Sequence, residues 1–243
     1  MTSAARDQAS RFDFAQDGDA VRVAVAGVDC GLRVSGALWL GKERALVVAD
    51  LHLEKGSAYA ARGQLLPPYD SRDGLARLEA EVAALDPRVI VLLGDAFHDP
   101  RAEARLAPDD VVTLHRLARG RAVVWVLGNH DPLPPRHLPG EAMEFLDCGG
   151  LSLLHEPTAG RAAAEAAGHL HPCARVAAGG RSVRRRCFVT DGHRLILPAF
   201  GAYAGGLNVR DEAYAELFAR PPLAVALGPR RAHAVGWWSL TSD

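Results

Sequence analysis

Four apolar runs along this 243-residue chain each end in residues able to ligate a cation. Residues 46–49 (Leu-Val-Val-Ala) run into Asp50 and His52, and 89–93 (Val-Ile-Val-Leu-Leu) run into Asp95 and His98. Residues 123–127 lead to Asn129, His130 and Asp131, and 151–154 lead to His155. A fifth element reads Gly168-His169-Leu170-His171. Apolar runs of this length read as buried strands, so each is expected to deliver its polar residues to one edge of a sheet. In open α/β sheets ligands gather outside the carboxyl ends of the strands.

Between these runs the period changes. Leu75, Leu78, Val82 and Leu85 recur at helical spacing over 70–85, and Asp86-Pro87 stops the pattern. Val111, Val112, Leu114 and Leu117 repeat it over 109–117, closed by Gly120. Strands alternating with helices predict a βαβ rhythm with parallel strands. Residues 21–25 and 36–40 read as earlier strands. Beyond His171 the pattern predicts a hairpin of 182–190 and 194–197 turning at Asp191-Gly192, a helix near 211–218, and two final strands around Val225 and Val235. Residues 1–20 read as a loose N-terminal arm and 21–243 as a single α/β domain.

Composition narrows the class. Half the chain is hydrophobic, enough for a core, and the formal charge of -1 argues neither for nor against a nucleic-acid partner. The four cysteines form no C-x-x-C pair, so reduced thiols are expected; Cys173, near His171, reads as a small buried hydrophobe. The first twenty residues show no secretory pattern and no run approaches the ~20 apolar residues of a spanning helix. The expectation is a soluble, cytoplasmic protein without a membrane partner.

The polar residues at the strand ends suit two divalent cations. A bridging carboxylate holds such a pair about 3.5–4 Å apart, and Asp95 is the natural bridge. Asp50 and His52 serve the first ion and Asn129 the second, with His155, His169 and His171 completing the two shells. Mixed nitrogen and oxygen ligands favour manganese, iron or zinc over calcium or magnesium. A water between two such ions loses its proton near neutral pH and is placed for in-line attack on phosphorus. His130 is then the expected proton donor to the leaving oxygen, with Asp131 orienting and charging its ring. Asp-x-His or Gly-Asp alone is common by chance; five such pieces in order, each at a strand end, are not. His115, His137, His193 and His233 read as non-ligands.

The ordered set Asp50-x-His52, Gly94-Asp95, Gly128-Asn129-His130-Asp131, His155 and Gly168-His169-x-His171 resembles the calcineurin-like metallophosphoesterases. The resemblance implies two packed β-sheets flanked by helices and a di-metal phosphoesterase site. By its pattern Asp50, His52, Asp95 and His171 hold one ion, Asp95, Asn129, His155 and His169 the other, and His130 is catalytic. His98, three residues after the bridging Asp, resembles the scissile-phosphate contact of the superfamily's double-strand-break-repair nucleases. The strings Asp50-Leu51-His52-Leu53-Glu54-Lys55-Gly56 and Leu197-Pro198-Ala199-Phe200-Gly201 resemble the bacterial ligase-associated DNA damage response endonucleases. That resemblance implies DNA as substrate, manganese as the usual ion, and a DNA ligase, a helicase and an exonuclease-like protein as partners.

Candidate DNA contacts are Lys55 and Arg62 after the first ligands, and the run Arg184, Arg185 and Arg186, with Arg175, Arg181 and Arg194 nearby. On a strand, alternate arginines face opposite ways, so a solvated hairpin stands beside the DNA reading. Tyr59, Tyr69 and Tyr203 are the candidate stacking residues. Two other function classes remain open: a small-molecule phosphoesterase and a non-catalytic partner in a repair complex.

Overall fold

The computed structural model describes residues 12, 14–160, 164–178 and 181–243. Its first sheet runs in chain order through β1 (Phe14–Asp17), β2 (Ala20–Val25), β3 (Val28–Leu32), β4 (Leu38–Leu40), β5 (Ala45–Ala49), β6 (Val89–Leu93), β7 (Ala122–Val126) and β8 (Glu141–Met143). The strands are antiparallel up to β5 and parallel from β5 to β8. Composition follows burial. In β2, Val21, Val23 and Val25 are buried while Arg22 and Ala24 are exposed, the alternation of a half-buried antiparallel strand. Every residue of β5 is buried, and β6 nearly so, because a covered parallel strand needs an unbroken apolar run.

Helices cover the outer face of this sheet. Helices α1 (Lys55–Ala60) and α2 (Asp70–Leu85) lie between β5 and β6, and α3 (Pro108–Leu117) lies between β6 and β7. Proline at its first position and Asp109 and Asp110 in its first turn start α3 favourably. Leu75, Leu78 and Val82 of α2 and Leu114 and Leu117 of α3 share a buried core with Leu46, Ile90, Leu92 and Trp125. Each fully buried Leu contributes roughly 1.5–3 kcal/mol relative to an exposed one.

The second sheet comprises β9 (Phe145–Cys148), β10 (Leu151–Leu154), β11 (Glu165–Ala167), β12 (Pro172–Ala178), β13 (Arg181–Thr190), β14 (Arg194–Ile196), β15 (Leu207–Asn208), β16 (Leu223–Leu227) and β17 (Ala232–Gly236). Val47, Val91 and Val124 of the first sheet share one buried core with Leu153, Phe188 and Leu195 of the second. The result is the expected pair of packed β-sheets flanked by helices. Among the described residues, no helix is long and apolar enough to cross a membrane.

Several expectations need correction. The ligand-bearing strands do not share one sheet edge: β5, β6 and β7 belong to the first sheet, β10 and β11 to the second. The link from β7 to β10 is made by β8 and β9 rather than by a helix. Of the arm expected over 1–20, residues 1–11 and 13 lie outside the described residues, while β1 pairs with β2 from Phe14. The helix expected near 211–218 is a single 3₁₀ turn, Glu212–Tyr214. Tertiary partners take the groups a helix would pair internally: Ala219 N–H donates to Asp191 Oδ2 (2.9 Å) and the carbonyl of Leu217 accepts from Arg194 (2.7 Å). Arg194 itself is no surface cation. It is fully buried in β14, its Nε 2.6 Å from Glu165 Oε1 and its remaining nitrogens donating to Leu217 and Thr158.

Candidate metal centre

Each candidate ligand follows a strand: Asp50 and His52 after β5, Asp95 after β6, Asn129 after β7, His155 after β10, His169 and His171 after β11. The backbone there is unusual. Asp50 (φ 53°), His52 (47°), Asp95 (46°), His169 (67°) and His171 (46°) all adopt left-handed conformations. Each such residue costs on the order of 1–2 kcal/mol, and that strain clusters at ligand clamps. Tertiary hydrogen bonds hold it: Asp50 N–H donates to the Gly94 carbonyl (3.2 Å), His52 N–H to Asp95 (2.9 Å) and Leu53 N–H to Ala96 (2.8 Å). The two sheets are tied at the same place, for His169 N–H donates to Asp50 Oδ2 at 3.0 Å and Gly201 N–H to the Asp50 carbonyl at 3.1 Å. Close approach requires glycine at Gly94, where a Cβ would lie 2.1 Å from the His155 ring, and at Gly168, where it would lie 2.6 Å from Asp50 Oδ2.

The side chains form two clusters around one shared carboxylate. In the first, His171 Nε2 lies 3.3 Å from Asp50 Oδ1 and 3.2 Å from His52 Nε2. In the second, Asn129 Oδ1 lies 2.8 Å from His155 Nε2 and 3.0 Å from His169 Nδ1, and those two nitrogens are 3.2 Å apart. Asp95 faces both, with Oδ2 4.0 Å from His52 Nε2 and Oδ1 3.5 Å from His155 Nε2. Ligand atoms about 2.1 Å from a common ion stand about 3.0–3.4 Å apart at octahedral or tetrahedral angles; the spacings within each cluster, 2.8–3.3 Å, lie near that range, and those to Asp95 are wider at 3.5 and 4.0 Å. The charge also fits. Asp50 and Asp95 are buried, and among the described residues their ion-pair contacts within 4.0 Å are all histidines, with no Lys or Arg so close. Buried carboxylates demand a cation or a proton. These residues therefore suit two divalent ions.

The histidines are tuned by what surrounds them. Burial, then His171 and Lys55, pushes His52 down to about 2, so its ring stays neutral as a ligand must. For His171 burial works downward, but the adjacent Asp50 carboxylate outweighs it and raises the ring. His171 Nδ1 donates to the Gly205 carbonyl (3.2 Å), which fixes the tautomer and leaves the Nε2 lone pair, 3.3 Å from Asp50 Oδ1, for an ion. Sequence reasoning missed this carbonyl; the glycines at 201, 205 and 206 were its only signal.

His130 and His98 stand beside the shared carboxylate. Their rings stack at 5.3 Å, and His130 Nδ1 donates to the His98 carbonyl at 2.8 Å. A carbonyl can only accept, so His130 Nε2 is the free position, 3.9 Å from Asp95 Oδ2. His98 lies on the loop after β6, as expected; burial, then Lys55 and His130, lowers its ring to about 4.

Asp131 does not do what the sequence suggested. Its carboxylate accepts from the backbone N–H groups of Gly128, Asp95 and Phe97, each at 3.1 Å, and makes no bond to the His130 ring. It clasps the β6 and β7 loops together. Burial pushes it up to about 7, against the pull of the Phe97 and Gly128 amides.

The candidate DNA contacts fare unevenly. Lys55 opens α1 half-buried near Asp95, and its ammonium has no hydrogen-bond partner among the described residues; burial lowers it. Arg184, Arg185 and Arg186 do not form one patch. Arg186 turns inward to the Ala199 carbonyl (2.6 Å), Arg184 bonds the Gly206 carbonyl and approaches Asp243, and Arg185 projects from the other face. Tyr69 and Tyr203 are exposed, and Tyr203 donates to the Pro67 carbonyl at 2.9 Å.

Comparison with known proteins agrees with this geometry. The family model described as calcineurin-like phosphoesterase matches residues 43–173, over half the chain and the whole ligand set. Among solved structures, the nuclease MPE of Pseudomonas putida is 28% identical, covering 88% of this chain and 100% of that one, with a TM-score of 0.67. No curated protein matches. The chain belongs to the calcineurin-like phosphoesterase family and is a metal-dependent phosphoesterase.

Proposed function

We propose that the protein is a nuclease that hydrolyses DNA phosphodiesters in DNA repair, with two manganese ions as its cofactor. The observation that carries the reading is Asp95, whose two carboxylate oxygens face separate ligand clusters while the His98–His130 pair stands at one side. Likeness to the P. putida nuclease over that protein's full length supports the choice of a nucleic-acid diester. Asp50, His52, Asp95 and His171 would hold one ion, and Asp95, Asn129, His155 and His169 the other. When bound, the ions supply positive charge to phosphoryl oxygens and lower the pKa of a nucleophilic water.

The chain's own groups do the rest. With Nδ1–H held by the His98 carbonyl, His130 gives the leaving oxygen a proton from Nε2 in its doubly protonated form, keeping Nδ1–H on the carbonyl throughout. His98 and the Lys55 ammonium position the substrate phosphate, an effect on geometry rather than on metal affinity. Ligase, helicase and exonuclease-like proteins are the partners such a repair role would serve.

The test is hydrolysis of circular DNA, linear DNA and bis-nitrophenyl phosphate with Mn²⁺, by wild type and by Asp95→Ala. Wild type should cleave all three and the variant none. Turnover of the nitrophenyl diester with both DNAs left intact would replace the nuclease by a small-molecule phosphoesterase.

A further inference from the structure

We propose that the cleft between the loops carrying His98 and His130 is a subsite for the nucleotide next to the scissile phosphodiester. In it, Arg101 and Arg136 take the neighbouring phosphate. This rests on the nuclease reading above. The cleft encloses about 620 Å³, within the range of roughly 300–1,000 Å³ typical of small-molecule sites. Its two walls are the direct continuations of the catalytic loops: Asp99 follows His98 on one side and Asp131 follows His130 on the other. Neither histidine lines the cleft, but each is joined by one peptide bond, about 3.8 Å between Cα atoms, to a residue that does.

The charges within the cleft sort into spent and unspent. Asp99 accepts from Arg105 at 2.6 and 3.1 Å and from Arg101 N–H at 2.8 Å. Glu103 accepts from Arg136 N–H at 2.9 and 3.0 Å and from His137 N–H at 2.7 Å, which fixes the far wall. Both acids and Arg105 are therefore used in building the cleft. Arg101 and Arg136 are not: both are exposed, and neither guanidinium has a hydrogen bond or ion pair among the described residues. Apolar surface lines the same cleft, with Leu133 66% exposed beside Pro134 and Pro135. Guanidinium groups and apolar surface in one cleft match a phosphate joined to a nucleoside: the fork grips phosphate oxygens, and the base lies against the apolar surface.

The test compares an oligonucleotide with bis-nitrophenyl phosphate, which has no neighbouring nucleotide. Two variants are used: the double change Arg101→Ala with Arg136→Ala, and Ala104→Trp, which fills the cleft from an exposed position on its wall. Both should raise KM for the oligonucleotide roughly tenfold, as losing charge-assisted hydrogen bonds or the space for a base does, with kcat unchanged. Kinetics on the nitrophenyl diester should stay at wild type. The double variant should also flatten log affinity against log salt by roughly 0.7–0.9 per lost phosphate contact. Unchanged oligonucleotide KM in both variants overturns the subsite, as does an equal loss on both substrates. Wild-type protein that turns over the nitrophenyl diester but no oligonucleotide refutes instead the nuclease reading on which the subsite stands.

Discussion

His130 is held by the backbone of His98: the ring Nδ1 donates to that carbonyl at 2.8 Å, so Nε2 alone is presented toward Asp95. The loop that carries one histidine sets the tautomer of the other. Replacing His130 with Ala should lower kcat on DNA by about 10²–10⁴-fold, the usual contribution of a general acid. The loss should shrink on bis-nitrophenyl phosphate, whose leaving group needs little protonation, while metal content stays at wild type. Equal losses on both substrates would make His130 a phosphate-positioning residue instead.

Asp131 gives a contrasting expectation. Its carboxylate satisfies three backbone amides, so Asp131→Ala leaves buried donors unpaired at about 1–3 kcal/mol each. Denaturant unfolding should show a loss of several kcal/mol, whereas His130→Ala should unfold like wild type. A variant at Asp131 with full stability but reduced kcat would restore the idea that it charges the His130 ring.

A buried pair outside the ligand set provides a second stability test. Arg194 and Glu165 bridge β14 and β11 without solvent access. Removing one partner strands the other's charge, at a cost of about 3–5 kcal/mol. Glu165→Ala and Arg194→Ala should each lower Tm sharply, and the fraction that remains folded should keep wild-type kcat on the nitrophenyl diester.

The arginine run divides by where each side chain goes. Arg186→Ala removes a donor from the Ala199 carbonyl, in a segment bonded to Asp50, so it should impair hydrolysis of small diesters as well as DNA. Arg185→Ala touches no such contact and should alter at most the salt dependence of DNA binding, by roughly 0.7–0.9 in slope for one phosphate. Identical behaviour of the two variants would contradict the division.

The ligand set was legible in the sequence because carboxylate, imidazole and amide residues each close an apolar run, and a buried strand has few other uses for them. Helices α2 and α3 were legible from their period. What could not be read locally depends on partners distant in sequence. Which sheet β10 and β11 join is decided by pairing with β9 and β14. The segment 211–218 has helical spacing, but Asp191 and Arg194 capture its backbone groups. Arg194 reads as one more surface cation until Glu165 is placed beside it, and Asp131 reads as a partner for its neighbour until three amides from two loops surround it.

The central claim is that Asp95 joins two cation sites, and anomalous diffraction from crystals soaked in Mn²⁺ tests it most directly. The account predicts two peaks about 3.5–4 Å apart, one among Asp50, His52, Asp95 and His171, the other among Asp95, Asn129, His155 and His169. A single peak at saturating Mn²⁺, or two peaks that do not share Asp95, would contradict it.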